Sequence, residues 1–152
     1  MTNDSQFLID IDKVLKSKLG DRSRYVPGFV VSYLKHIVHQ DEINEFLLRV
    51  EGKVGVDFLK ESMEFLDTKL DVRGMENLPD DRLCTFVSNH PLGGQDGVSL
   101  GYLLGTHYDG HIKYLVNDLL MNLKGLAPLF VPINKTGSQA KDFPMMVEAA
   151  FR

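Results

Sequence analysis

Cysteine is nearly absent. Cys84 is the only one in 152 residues, which excludes an internal disulfide and fits a reducing cytoplasm. Any run of about 18 apolar residues is also missing, so no segment is expected to cross a membrane as a helix. The opening Met1-Thr2-Asn3-Asp4-Ser5 is acidic rather than basic and does not fit a secretory signal. Positive charge is in deficit: 21 Asp and Glu against 17 Lys and Arg give a net charge of −4, which argues against nucleic acid as a partner. Internal repeats and low-complexity segments are lacking. So is the G-x-G-x-x-G fingerprint, since Gly93-Gly94-Gln95-Asp96-Gly97 has the wrong spacing.

What is present is ordinary globular composition, 43% hydrophobic and 25% charged. A chain this long suits one domain and buries roughly 70% of its unfolded surface. The charge is uneven. Residues 1–83 carry 16 acidic and 12 basic side chains, whereas residues 84–152 carry five of each and three of the five histidines.

The hydrophobic pattern changes along the chain. Phe7, Leu8, Ile11, Val14, Leu15 and Leu19 fall at helical spacing, with Gly20 as a stop. Pro27-Gly28 breaks the chain, and Val30, Val31, Leu34, Ile37 and Val38 resume the pattern. Asp41 is a candidate cap for a third helix bearing Ile43, Phe46, Leu47 and Val50. A fourth is expected over about 56–66. Beyond it the pattern shortens. Residues 70–74 alternate like a strand, Asn77-Leu78-Pro79-Asp80-Asp81 is turn chemistry, and Cys84-Thr85-Phe86-Val87-Ser88 reads as a buried strand. A helix over 97–105, a strand over 112–116, a short helix capped by Asp118, a strand over 129–133 and a helix from 138 follow. Pro132 places the 129–133 strand at an edge or an end. The expected architecture is α/β: a helical N-terminal subdomain (1–69), then strand–helix alternation forming a largely parallel sheet (70–152). Met145, Met146, Ala149, Ala150 and Phe151 open an apolar face that stops at Arg152 without a breaker, the expectation being a C-terminal truncation.

One segment carries a candidate for chemistry. The expected strand 84–88 runs into Asn89-His90-Pro91-Leu92-Gly93-Gly94-Gln95-Asp96. In a parallel sheet ligands bind at the carboxyl ends of strands. Pro91 fixes the backbone after His90, and Gly93 and Gly94 permit positive φ and close approach of a ligand. Asp96, at the start of the next helix, can cap it or hold the His90 ring. A histidine oriented by a carboxylate is a general base for an attacking hydroxyl, and amides near Gly93 and Gly94 can stabilise an oxyanion. A histidine that merely satisfies a turn fits the same pattern.

Asn89-His90 followed by Asp96 resembles the first block of the PlsC-like glycerol-phosphate and lysophospholipid acyltransferases, in the bacterial version often labelled hemolysin-like. The similarity continues through Val72-Arg73-Gly74, Asn77-Leu78-Pro79, Lys113-Tyr114-Leu115-Val116-Asn117-Asp118 and Gly125-Leu126-Ala127-Pro128-Leu129-Phe130-Val131-Pro132-Ile133-Asn134. It implies a partial PlsC-like fold and transfer of a fatty acyl group from an acyl thioester to a hydroxyl of a lipid or lysolipid acceptor. His90 would be the base and Asp96 its partner, with Asn89, Gly93, Gly94, Asn134 and Lys135 at the substrate. It implies no cofactor and no metal, acyl-carrier protein or acyl-coenzyme A as donor, and a cytoplasmic place with peripheral contact at the inner face of the cell membrane. Three departures stand out. Five residues separate His90 from Asp96 where the wider family has four. Asn134, with Lys135 beside it, occupies a position usually held by arginine; Lys135 is either a headgroup contact or a solvated loop lysine. The later Phe-Pro-Glu-Gly block is absent. A non-catalytic lipid- or protein-binding module on the same fold is the alternative, and a hydrolase using the same pair to activate water is a third.

Other constellations read more plainly. His107-Tyr108-Asp109-Gly110-His111 has the i, i+4 spacing of a metal pair, but Asp109-Gly110 favours a turn over a helix. His36 and His39 flank an apolar stripe. Residues 29–38 suit either packing within the protein or docking at a bilayer surface.

Overall fold

A computed structural model describes residues 8–80, 83–117, 120, 121, 123–133 and 143–150. The chain divides into two compact units, Met1–Glu51 and Gly52–Arg152. The division falls ahead of the fourth helix, whereas the sequence pattern groups that helix with the first three.

The first unit is helical. α1 (Ile11–Leu19) starts at Asp10, whose carboxylate accepts from the amides of Asp12 and Lys13, and ends at Gly20 with φ 57°. A 3-10 turn, Gly20–Tyr25, leads to Pro27, and α2 (Gly28–Ile37) follows. α3 (Gln40–Arg49) is capped by His39 in the left-handed region rather than by Asp41, which lies in its first turn. The extra half-turn gained this way lets His39 Nδ1 meet Glu42 Oε2 at 2.6 Å. Asn44 closes the unit by exchanging hydrogen bonds with the backbone of Ile9, and Lys35 pairs with Asp12 at 2.5 Å.

The second unit centres on α4 (Gly55–Phe65) packed against α5 (Gly94–His107). α4 buries Phe58, Leu59, Ser62 and Met63, two adjacent pairs one turn apart. Ser62 is satisfied by donating to the Phe58 carbonyl at 2.8 Å. Leu104 and Tyr108 meet this face from α5, with Leu126 and Leu129 from the 3-10 turn Lys124–Leu129. The sheet has two parallel strands, β1 (Tyr114–Asn117) and β2 (Phe130–Ile133), with Val116 opposite Pro132. A dozen residues join them, the minimum a parallel crossover needs. α6 (Phe143–Ala150) packs on β2.

The helix and parallel-sheet expectations hold in outline, and two expected strands do not form. Residues 70–74 are irregular, with Leu70 and Val72 exposed, and Cys84–Ser88 joins no ladder. β-prone composition makes a strand only where a neighbour supplies hydrogen bonds. Val87 is 92% exposed, so the segment is not the buried strand its low charge suggests. Cys84 is half-buried, and the Phe86 ring, though exposed, lies 6.0 Å from that of Tyr108. No helix among the described residues is long and apolar enough to cross a membrane.

Candidate functional site

The segment singled out by sequence is an ordered turn leading into a helix. Residues 83–90 run without regular structure, and the chain then reverses over His90–Gly93, closed by the Gly93 amide donating to the His90 carbonyl at 3.1 Å. Pro91 suits the second position of such a turn because its φ is already set. Gly93 follows at φ 63° and ψ −117°, a conformation that any side chain would strain. Gly94 differs from expectation: it has no positive φ and simply begins α5.

Asp96 locks the turn. Its Oδ2 accepts from the Leu92 amide at 2.7 Å, reaching back over the start of α5. That amide points along the turn where no helical carbonyl is available, so a carboxylate in the third helical position satisfies it, as in a capping box. The sequence offered Asp96 as cap or as partner of His90, and here it caps. The His90 ring has no hydrogen bond among the described residues and, like Asn89, is exposed. Asp96 Oδ1 has no protein partner there either.

Two further contacts hold the start of α5, and neither was read from the sequence. Gln95 Nε2 donates to Thr68 Oγ1 at 2.9 Å, just beyond α4. The Tyr114 hydroxyl, at the head of β1, donates to the Gly97 carbonyl at 3.0 Å. Tyr114 crosses α5 at Gly101, where even a methyl group would overlap its hydroxyl. Burial pushes the Tyr114 hydroxyl up to about 12. One helical turn on, a methyl group at Gly105 would lie 2.8 Å from Val56 Cγ2. The usable signal was the spacing of Gly97, Gly101 and Gly105, a stripe that lets a neighbour approach closely.

The remaining candidates fall elsewhere. Asn134, Lys135 and Asp118 lie outside the described residues. α5 ends at His107, and Asp109 and Gly110 both take positive φ, so His107 and His111 are not on one helix. The His107 ring meets Tyr108 edge-on at 4.6 Å, and His111 Nδ1 donates to the Tyr108 carbonyl at 3.0 Å. No cluster of three metal-ligating side chains occurs among the described residues.

The arrangement offers an exposed imidazole on a rigid turn, apolar Val87 and Leu92 on either side of it in the chain, and a half-free carboxylate six residues on. Such a group can take a proton from an incoming hydroxyl.

Comparison with known proteins agrees with the sequence motif. Over 151 residues, 99% of this chain, it is 70% identical to a protein of Phocaeicola vulgatus named lyso-glycine lipid O-acyltransferase. Over 152 residues it is 70% identical to the protein of the same name from Bacteroides thetaiotaomicron. The chain spans 54% and 56% of these relatives, about half their length. No solved structure matches it. The profile of a family described as acyltransferase matches residues 13–152, the turn and helix of His90 and Asp96 included, and the chain belongs to that family.

Proposed function

We propose that this chain carries the base-bearing portion of an enzyme that moves a fatty acyl group from an acyl thioester to the hydroxyl of a lyso-lipid. The observation that carries this reading is the exposed His90 on a turn closed by Gly93 and locked by Asp96. The names of the two relatives support a lyso-glycine lipid as the acceptor. The PlsC-like character and the hemolysin-like subgroup rest on the sequence blocks around His90 and after β1.

In this reading His90 takes the proton of the acceptor hydroxyl as its oxygen attacks the thioester carbonyl. The tetrahedral intermediate carries its negative charge on the former carbonyl oxygen, near the Gly94 amide, since the Gly93 amide already donates to the His90 carbonyl. Collapse breaks the carbon–sulfur bond, and the leaving thiolate recovers the proton from His90. Asp96 acts first through the turn. Its unoccupied Oδ1 can also take the second ring nitrogen of His90 once a substrate has ordered the ring. Asn89 and Lys135 would contact the substrate, Lys135 an anionic headgroup with Asn134 beside it. Acyl-carrier protein and acyl-coenzyme A present the same thioester, and the site chemistry serves either. A single cysteine and a thioester donor fit a cytoplasmic enzyme.

The test is transfer of a labelled acyl chain from each donor to lyso-glycine lipid by the full-length protein. His90→Ala should lower transfer by about 10²–10⁴-fold, the usual contribution of a positioned base, with an unchanged circular dichroism spectrum. Transfer retained in that variant overturns the assignment. Release of free fatty acid without acceptor would instead reveal a hydrolase.

A further inference from the structure

α2 is apolar on two faces, and only one of them is used within its unit. Val30, Val31, Leu34 and Val38 are half-buried. Phe29, Tyr33 and Ile37 lie at i, i+4 and i+8 on a different face, and are 76%, 63% and 51% exposed. Tyr25, 71% exposed, stands just ahead of the helix. Isolated exposed apolar side chains are common, but a row of three on one helix with a fourth beside it is a patch.

The segment that carries this patch is basic, and the carboxylates near it, Asp10, Asp12 and Asp41, act on Lys35. The acidic half of the sequence contains no Asp or Glu from Arg22 to Gln40, a segment that holds Arg22, Arg24, Lys35, His36 and His39. Asp21 and Asp41 bracket it. Lys35 is paired with Asp12, and His39 with Glu42. Arg24 lies over the Tyr25 ring at 5.0 Å and donates to its hydroxyl at 3.0 Å, which joins a cation to the end of the aromatic row.

We infer that this face of α2 is a docking surface for a bilayer containing anionic lipid. A helix with exposed aromatics and basic neighbours lies in the headgroup region with its apolar side in the acyl boundary. Tyrosine suits that boundary because its ring is apolar and its hydroxyl polar. Arg22 and Arg24 supply the attraction to anionic headgroups. The inference deepens the proposed function, since a lyso-lipid acceptor resides in a bilayer, but its readouts do not depend on turnover.

These 152 residues contain no tryptophan, and the emission of Phe29→Trp minus that of the unsubstituted protein reports the patch alone. The probe is vesicles of phosphatidylcholine with phosphatidylglycerol, compared with pure phosphatidylcholine, for both the 152-residue chain and the full-length protein. The expected result is a blue shift on adding anionic vesicles and quenching by brominated acyl chains. Arg22→Gln with Arg24→Gln should weaken binding about thirtyfold, from roughly fivefold per basic residue at the surface. Phe29→Ser with Tyr33→Ser should weaken it at least about tenfold with an unchanged circular dichroism spectrum. His90→Ala should bind vesicles as wild type does, so loss of transfer and loss of docking are told apart. Three results overturn the inference: vesicle binding without quenching of Trp at position 29, a reporter already blue-shifted and indifferent to vesicles in the full-length protein, or lipid-free dimerisation abolished by the serine pair.

Discussion

The Tyr114 hydroxyl donates to the Gly97 carbonyl at 3.0 Å, and its ring reaches that carbonyl only because Gly101 has no side chain. In an α-helix this same carbonyl accepts from the amide of Gly101. Tyr114 therefore adds a second donor to the first turn of α5, the turn that carries Asp96. Through it the head of β1 fixes the height and rotation of the helix that locks the His90 turn.

Filling the gap at Gly101 should break this relationship. Gly101→Ala places a methyl group on the Tyr114 hydroxyl, and an overpacked site of this kind costs about 1–3 kcal/mol. The same substitution in a Tyr114→Ala background should cost much less, a coupling of at least about 1 kcal/mol in a double-mutant cycle read by urea unfolding. Equal costs in both backgrounds would show that the two residues do not meet.

The buried hydroxyl also makes a pH prediction. Burial holds Tyr114 protonated up to about 12, above its ordinary 10.0. As pH rises past 10.0 the unfolded chain loses this proton while the folded chain keeps it, so the folded state binds more protons and stability falls. The contribution is full below pH 10 and is lost as pH rises through about 12, with a slope of at most about 1.4 kcal/mol per pH unit. Tyr114→Phe should remove that slope from the difference between variant and wild type. At neutral pH it should cost about 1 kcal/mol for the lost hydrogen bond. An unchanged slope above pH 10 would place the hydroxyl in solvent.

Asp96 separates capping from charge. Asp96→Asn keeps an acceptor for the Leu92 amide, whereas Asp96→Ala leaves that amide unpaired. Thermal unfolding should show a loss of about 1 kcal/mol for alanine and a few tenths for asparagine. If acyl transfer falls equally in both variants while only alanine is unstable, the carboxylate acts on His90 beyond its cap.

Helices were legible because periodicity, breakers and caps agree locally. Gly20 stops α1, Pro27 starts α2, and α4 forms close to the expected 56–66. β1 and β2 were legible for the same reason. The segment 84–88 was misread because strand formation depends on a partner that composition does not reveal, and Val87 stands in solvent. At the site, His90 and Asp96 could be named from their motif. The choice between cap and ring partner could not, because it turns on where the Leu92 amide points. Tyr114 was invisible as an anchor: its role comes from a crossing with Gly101 thirteen positions earlier in the chain, set by the packing of β1 under α5.

The paired glycines after Leu92 should behave in opposite ways. Gly93 holds φ 63°, so Gly93→Ala should cost about 1 kcal/mol or more in backbone strain, although a methyl group there meets nothing within 4 Å. Gly94 is the first residue of α5, has no positive φ and also has open space around it. Gly94→Ala should therefore be neutral or stabilising by up to about 1 kcal/mol, as the unfolded chain loses freedom and the helix gains a better former. Urea unfolding of the two variants checks the contrast, and equal destabilisation would refute the assigned backbone. Transfer assays then give the Gly94 result a second meaning. A variant that is fully stable yet slow would show that the bare backbone at Gly94 serves the approach of a substrate rather than the fold.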